Sequence, residues 1–236
     1  MTTDEILFRA SSNGDVMTKG DGMITDIQLV KLNELQLRDK NSRTGADKPL
    51  TDNMRDEMKK LIEKRDNPEL SDTTKKRCIK IYANHFHGRT EDVTSKYMEK
   101  GIRVEDDSIK LLNSVLFTDF EKNAERRNNE WITGEADIVA GDRIIDIKSS
   151  WSLGTFPVLA SEGADKKYEW QGRAYMMLWD VPEFSIAYCL VNTPPELIGY
   201  EEKSMHIVDH IIPELRVTLV HYKRDKALEE KIMRKV

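Results

Sequence analysis

Cysteine is scarce: the 236-residue chain has two, Cys78 and Cys189. A pair this far apart argues against a disulfide framework or a cysteine-ligated metal, and fits buried thiols in a reducing compartment. No run approaches the ~18 apolar residues of a membrane span. The opening MTTDEILFRASS lacks the basic start and apolar core of a signal peptide, so a cytoplasmic location without a membrane partner is expected. Excess positive charge is missing too. The formal net charge is −5, which gives no global pull toward nucleic acid but leaves room for a local basic channel beside an acidic site. Internal repeats and low-complexity segments are also absent. What is there is ordinary for a globular protein, 39% hydrophobic and 33% charged. That supports one sizeable domain, or a core with a smaller appendage.

The N-terminal portion reads as helical. In residues 24–38, Ile24, Ile27, Leu29, Val30, Leu32, Leu35 and Leu37 recur at helical spacing. Residues 39–50, polar with Gly45 and Pro49, read as a loop. Thr51 opens a helix to about Lys64. Ser71 or Asp72 caps a third helix to His87, with Gly88 just past its end. His85 and His87 read as a helix-end pair, because no third ligand stands at metal-site spacing. A fourth helix covers about 91–113.

Near Val115 the character changes. VLFTDFEKN, residues 115–123, reads as a strand. WITGEADIVA and RIIDIKSS are short alternating runs around the two-residue turn signal Gly141-Asp142. Residues 165–180 read as a helix stopped before Pro182, 184–192 as a strand, 195–211 as a helix interrupted by a glycine, 214–222 as a strand and 223–236 as a helix. The expected class is α/β (mixed α+β), a central mixed β-sheet flanked by helices. A mostly helical portion, 1–88, would pack on a core, 89–236, as one globular unit.

Two charges inside a strand stand out. Asp146 and Lys148 share one face, because side chains alternate, while Ile145 and Ile147 face the other way. Acid-x-Lys spacing recurs elsewhere in helices or loops, where it is solvated charge. The turn makes this instance different. With Gly141-Asp142 as turn residues, Ala140 meets Arg143, Val139 meets Ile144, Ile138 meets Ile145 and Asp137 meets Asp146. Opposed carboxylates destabilise a sheet. A hard divalent cation between them, Mg²⁺ or Mn²⁺, is the simplest remedy, with the Ile147 carbonyl as a further oxygen ligand. An exposed hairpin with scattered charges is the alternative, and the apolar flanks oppose it.

GEADIV followed by IIDIK resembles the motif of the PD-(D/E)xK nuclease superfamily: an acid ending one strand and acid-x-Lys on the next. Further pieces are similar to the lambda-exonuclease and RecB-type branch. Met98, Gly101 and Glu105 match the helix motif M-x-x-G-x-x-x-E, and Gln171 and Tyr175 match Q-x-x-x-Y. FRASS resembles, more weakly, the Arg/Ser stretch that contacts a DNA phosphate. The resemblance covers about residues 90–180. It implies a restriction-endonuclease-like core. It also implies a Mg²⁺- or Mn²⁺-dependent DNA exonuclease of phage or bacterial recombination, repair or degradation. In it Asp137, Asp146 and Glu105 hold metal, and Lys148 orients the attacking water or neutralises developing charge. Gln171 and Tyr175 position Lys148 or a phosphate, and Arg9, Ser11 and Ser12 bind a DNA phosphate. Ser149 and Ser150, just after the strand, could donate to phosphates as well. Two cysteines argue against an iron–sulfur cluster. DNA is the implied partner, with a second copy of the chain or a recombination protein beside it. A structure-specific or restriction-type endonuclease and an inactive nucleic-acid-binding module are the alternatives. Taken singly, Glu105 also fits a solvated helix residue, Gln171 and Tyr175 a polar helix edge, and Arg9, Ser11 and Ser12 a cap region.

Overall fold

The computed structural model describes residues 6–18, 23–88 and 95–236; the expected helix start at 91–94 lies outside them. The strands are β1 Phe8–Arg9, β2 Arg126–Asn128, β3 Ile132–Glu135, β4 Ile138–Ala140, β5 Arg143–Ser149, β6 Glu183–Cys189 and β7 Val217–Lys223. The α-helices are α1 Asn13–Val16, α2 Asp26–Arg43, α3 Asp52–Asp66, α4 Asp72–His87, α5 Lys96–Arg103, α6 Glu105–Leu116, α7 Lys166–Trp179, α8 Pro195–Ile198 and α9 Lys226–Met233. The chain forms two compact units, residues 18–80 and, together, residues 1–17 and 81–236. The division runs through α4, whereas the boundary expected from the sequence falls at residue 88. Residues 6–17 belong with the sheets.

In the 18–80 unit, α2 starts from a capping box. The Thr25 hydroxyl accepts the Gln28 N–H at 3.1 Å, and the Gln28 side chain accepts the Thr25 N–H at 3.1 Å. The helix runs past residue 38 to Arg43, into the expected loop. Nothing in 39–43 breaks it, Asp39 and Arg43 pair one turn apart at 2.6 Å, and the first left-handed residue is Gly45 with φ 78°. Leu32, Leu35, Leu50 and Leu61 form this unit's core.

The other unit is a mixed α/β assembly with two mixed sheets. One has the order β1-β3-β2 and the other β4-β5-β6-β7. In the larger sheet β5 pairs antiparallel with β4 and parallel with β6, and β6 pairs antiparallel with β7. Its two faces bury different helices. Ile144, Phe184, Ile186 and Val220 pack with Ala174, Met176 and Trp179 of α7. Ile145, Ile147, Ala187 and Cys189 pack with Ile109, Leu111 and Leu112 of α6. Gly172 lets α7 lie close to the sheet, since a Cβ there would sit 2.0 Å from the Phe184 ring.

Three expectations fail locally. The fourth helix is two, α5 and α6, broken at Val104 with φ −112° and ψ 14°. The charges favour the break. Lys100 and Arg103 end α5, and Glu105, Asp106 and Asp107 begin α6, so each helix dipole meets its complement. Residues 115–123 are not a strand: α6 continues to Leu116, and Phe117 ends it in the left-handed region at φ 55°. The Asn113 side chain then binds the Phe120 N–H and C=O at 2.9 Å each, replacing strand partners. Residues 195–211 are not one helix either, because α8 stops after one turn before Gly199 at φ 64°. No helix among the described residues is long and apolar enough to cross a membrane.

Candidate active site

The β4–β5 hairpin has the expected register, with Ala140 opposite Arg143, Val139 opposite Ile144 and Ile138 opposite Ile145. Gly141 takes the turn's positive φ of 61°. The ladder ends there. Asp137 is not cross-strand from Asp146, because Ala136 and Asp137 leave the sheet between β4 and β3, and β3 joins the other sheet. Instead the Asp137 carboxylate reaches over and accepts the Ile147 N–H through Oδ2 at 2.7 Å. An extended residue turns its N–H and C=O to the same edge, so the Ile147 carbonyl faces this way too. Asp137 Oδ1 accepts no hydrogen bond among the described residues. Burial, then the neighbouring charge of Asp146, pushes the Asp137 carboxyl well above the usual carboxylate range.

Asp146 lies on the α7 face, 2% exposed. Its Oδ1 accepts Gln171 Nε2 at 2.8 Å. Its Oδ2 accepts no well-directed hydrogen bond, and its charge is met by Lys148 Nζ at 2.5 Å. Burial works against the Lys148 ammonium, but the charges of Asp146 and Asp137 outweigh it and raise its pKa. Gln171 Nε2 also donates to the Tyr175 hydroxyl at 3.1 Å, which donates to the Glu135 carbonyl at 3.0 Å. This chain ties β5 to β3 through α7. A Cβ on Gly134 would come within 2.9 Å of the Tyr175 ring, so the glycine of GEAD admits Tyr175.

Glu105 begins α6, on the other side of the sheet, and is held by Lys122 at 2.5 Å. It lines the same cavity of about 770 Å³ as Asp137, Asp146, Lys148, Gln171 and Tyr175. Among the described residues no three acidic, histidine or cysteine side chains stand close enough to share a metal ion. Each acid already has its balance: Lys122 for Glu105, Lys148 for Asp146, and a raised pKa for Asp137. The donors themselves, carboxylate oxygens and an amide carbonyl, suit a hard divalent cation.

Of the expected phosphate-binding residues, Arg9 and Ser11 reach the cavity because β1 pairs in parallel with β3, Phe8 beside Ile132. Ser12 is buried and does not line it. The Ser149 hydroxyl sits 2.8 Å from that of Ser108 in α6. Ser150 lines the cavity, with its buried hydroxyl lacking a partner among the described residues.

Several residues escaped the motif reading. Arg126 lines the cavity beside Glu135, its partner at 2.7 Å, and nothing in the sequence signals it. Tyr97, Trp151, Tyr168 and Tyr188 add aromatic wall. Lys100, inside the M-x-x-G motif, is 1% exposed. It donates to the carbonyls of Ser150 at 2.6 Å and of Trp151 and Val191 at 3.0 Å each. It thereby fastens α5 to the C-terminal ends of β5 and β6, and burial lowers its pKa to about 8.

No family model matches the sequence, and no curated protein is similar to it. Solved structures are similar. A phage related exonuclease from Haemophilus somnus 129PT is 28% identical, with a TM-score of 0.72 over 97% of this chain and 89% of that one. An alkaline exonuclease from Laribacter hongkongensis, LHK-Exo, is 12% identical, with a TM-score of 0.60 over 98% of this chain and 84% of that one. The complex of LHK-Exo with dAMP gives 13% and 0.59 over the same shares, 98% and 84%. At such identities the last two speak for the fold alone. The likeness to the phage related exonuclease is in keeping with the phage-type exonuclease branch of the PD-(D/E)xK superfamily, the branch the motifs indicate.

Proposed function

We propose that this chain is a divalent-metal-dependent DNA exonuclease acting at the Asp137–Asp146–Lys148 site. One observation carries the reading: a buried carboxylate, fixed by Gln171 on one oxygen and Lys148 on the other, opens on a cavity that Asp137 and Glu105 also line. A purely structural acid-lysine pair has no need of two more acids around the same opening. The likeness to a phage related exonuclease at 28% identity supports it.

Asp137, Asp146, Glu105 and the Ile147 carbonyl would hold Mg²⁺ or Mn²⁺ once the three acids, Glu105 leaving Lys122, drew closer than they stand here. When bound, that ion supplies Lewis acidity and a more acidic bound water. The protein's own groups do the rest. Lys148, whose ammonium form the charges of Asp146 and Asp137 favour against burial, would stand beside the scissile phosphate to orient the attacking water or neutralise the developing charge. Gln171 and Tyr175 hold Asp146 and the β3 backbone in fixed relation. Arg9, Ser11 and Ser150 would bind DNA phosphates, with Arg126 beside them. Ser12 and Ser149 would join them only by giving up their present surroundings. The reading includes a reducing, cytoplasmic setting, in keeping with two free cysteines. It also includes phage or bacterial recombination, repair or DNA degradation, alongside a second copy or a recombination protein.

The test is incubation with end-labelled linear duplex and closed-circular DNA, with Mg²⁺ or Mn²⁺. The linear DNA is expected to shorten from its ends while circles stay intact. Cut circles would replace this reading with an endonuclease, and binding without hydrolysis would replace it with a nucleic-acid-binding module.

A further inference from the structure

Tyr168 stands on α7 three residues before Gln171, so the two side chains share the helix face turned to β5. The Nζ of Lys148 lies 4.5 Å from the centroid of the Tyr168 ring. The same Nζ lies 2.5 Å from Asp146 Oδ2. The ammonium is therefore bracketed by a carboxylate and an aromatic face. The Lys148 side chain is only 24% exposed, and loss of water strengthens the attraction between a cation and a ring. The Tyr168 hydroxyl has no hydrogen bond among the described residues, so the ring is the part in use.

The bracket resolves a conflict within the site. Asp146 Oδ2, which holds Lys148, is also an oxygen that a divalent cation would draw on. As Asp146 shares its charge, its grip on Lys148 slackens. The Tyr168 ring makes no such double commitment, because hard cations take oxygen ligands in preference to π-faces. It can keep Nζ in place while the carboxylate changes partner.

We propose that Tyr168 is a positioning residue whose ring face holds the Lys148 ammonium beside the reacting phosphate while Asp146 serves the cation. The proposal rests on the nuclease reading above and adds to it a residue outside the acid-x-Lys and Q-x-x-x-Y motifs.

The test compares the full-length wild type with Tyr168→Phe and Tyr168→Leu. The first readout, made without metal or DNA, is the NMR signal of the Lys148 ε-methylene in protein carrying ¹³Cε-labelled lysine. Wild type and Tyr168→Phe should show an upfield ring-current shift, and Tyr168→Leu should lose it. The second readout separates kcat from DNA affinity. Tyr168→Leu should lose roughly tenfold in kcat, the scale of a partly desolvated cation–ring contact, with Kd for DNA within about twofold of wild type. Tyr168→Phe should keep both. If Tyr168→Leu does not fold, a series of progressively fluorinated phenylalanines at position 168 keeps the shape and weakens the ring's negative face. In that series kcat should fall with each step. A flat series, an unchanged kcat in Tyr168→Leu, an unshifted wild-type signal, or Tyr168→Phe as impaired as Tyr168→Leu would each overturn the proposal. A wild type that hydrolyses no DNA would instead sink the nuclease reading, and the role of Tyr168 with it.

Discussion

On the α7 face of β5, Asp146 is almost completely buried, Gln171 and Lys148 meet its two oxygens, and the Tyr175 hydroxyl extends the network to the β3 backbone. On the α6 face, Glu105 is held by Lys122, whose side chain is 50% exposed, and the Ser149 hydroxyl is met by that of Ser108. One face is preformed, with its members short of alternative partners. The other holds its acid by one partly exposed ion pair that water and salt weaken, so that acid can be redirected at low cost. The contrast separates what the fold builds in advance from what a bound cation would complete.

Four substitutions probe that contrast. The largest effect is expected for Lys148→Ala, on the preformed face. Single-turnover hydrolysis of linear DNA should fall by about 10²–10⁴-fold with DNA binding retained. Lys100→Met, behind both faces, should cost about 2–4 kcal/mol in a denaturant titration, because three carbonyls lose a charged donor. Its pH dependence has a definite sign. Burial lowers the folded pKa from 10.5 to about 8, so the native state releases this proton first. Wild-type stability relative to Lys100→Met should therefore rise between about pH 8 and 10.5, as melting temperatures across that range would show. Gly172→Ala drives a methyl into the buried Phe184 ring and should destabilise by about 1–3 kcal/mol, with hydrolysis lowered as Gln171 shifts. The smallest effect belongs to the loosely held face. Lys122→Ala should change stability by less than about 1 kcal/mol and tighten Mn²⁺ binding about two- to fivefold in a calorimetric titration. A large stability loss from Lys122→Ala would erase the distinction between the faces.

Much of the preformed face could be read from short-range pattern. Alternation put Asp146 and Lys148 together, the Gly141-Asp142 turn set the β4–β5 register, and helical spacing put Gln171 beside Tyr175. Reading stopped where long-range partners decide. Ile132–Glu135 looks continuous with Ile138–Ala140, yet its ladder partners are β1 and β2, and that choice pulls Asp137 off the hairpin. Residues 115–123 read as a strand, but α6 continues to Leu116 and a side-chain amide, Asn113, takes the Phe120 N–H and C=O that a neighbouring strand would pair. Tyr168 and Lys100 were readable in retrospect, one by its spacing from Gln171 and the other by its place in M-x-x-G. Arg126 was not, because only the fold brings it to the cavity.

The most direct measurement is single-turnover cleavage of end-labelled linear duplex by wild type and Asp146→Asn, in Mg²⁺, with DNA affinity measured alongside. The substituted amide keeps an acceptor for Gln171 but loses the charge that pairs with Lys148 and suits a cation. Hydrolysis should fall by about a hundredfold or more with DNA affinity little changed, while loss of the charge that pairs with Lys148 lowers the melting temperature. An Asp146→Asn protein that cuts DNA at a rate near wild type would contradict the account.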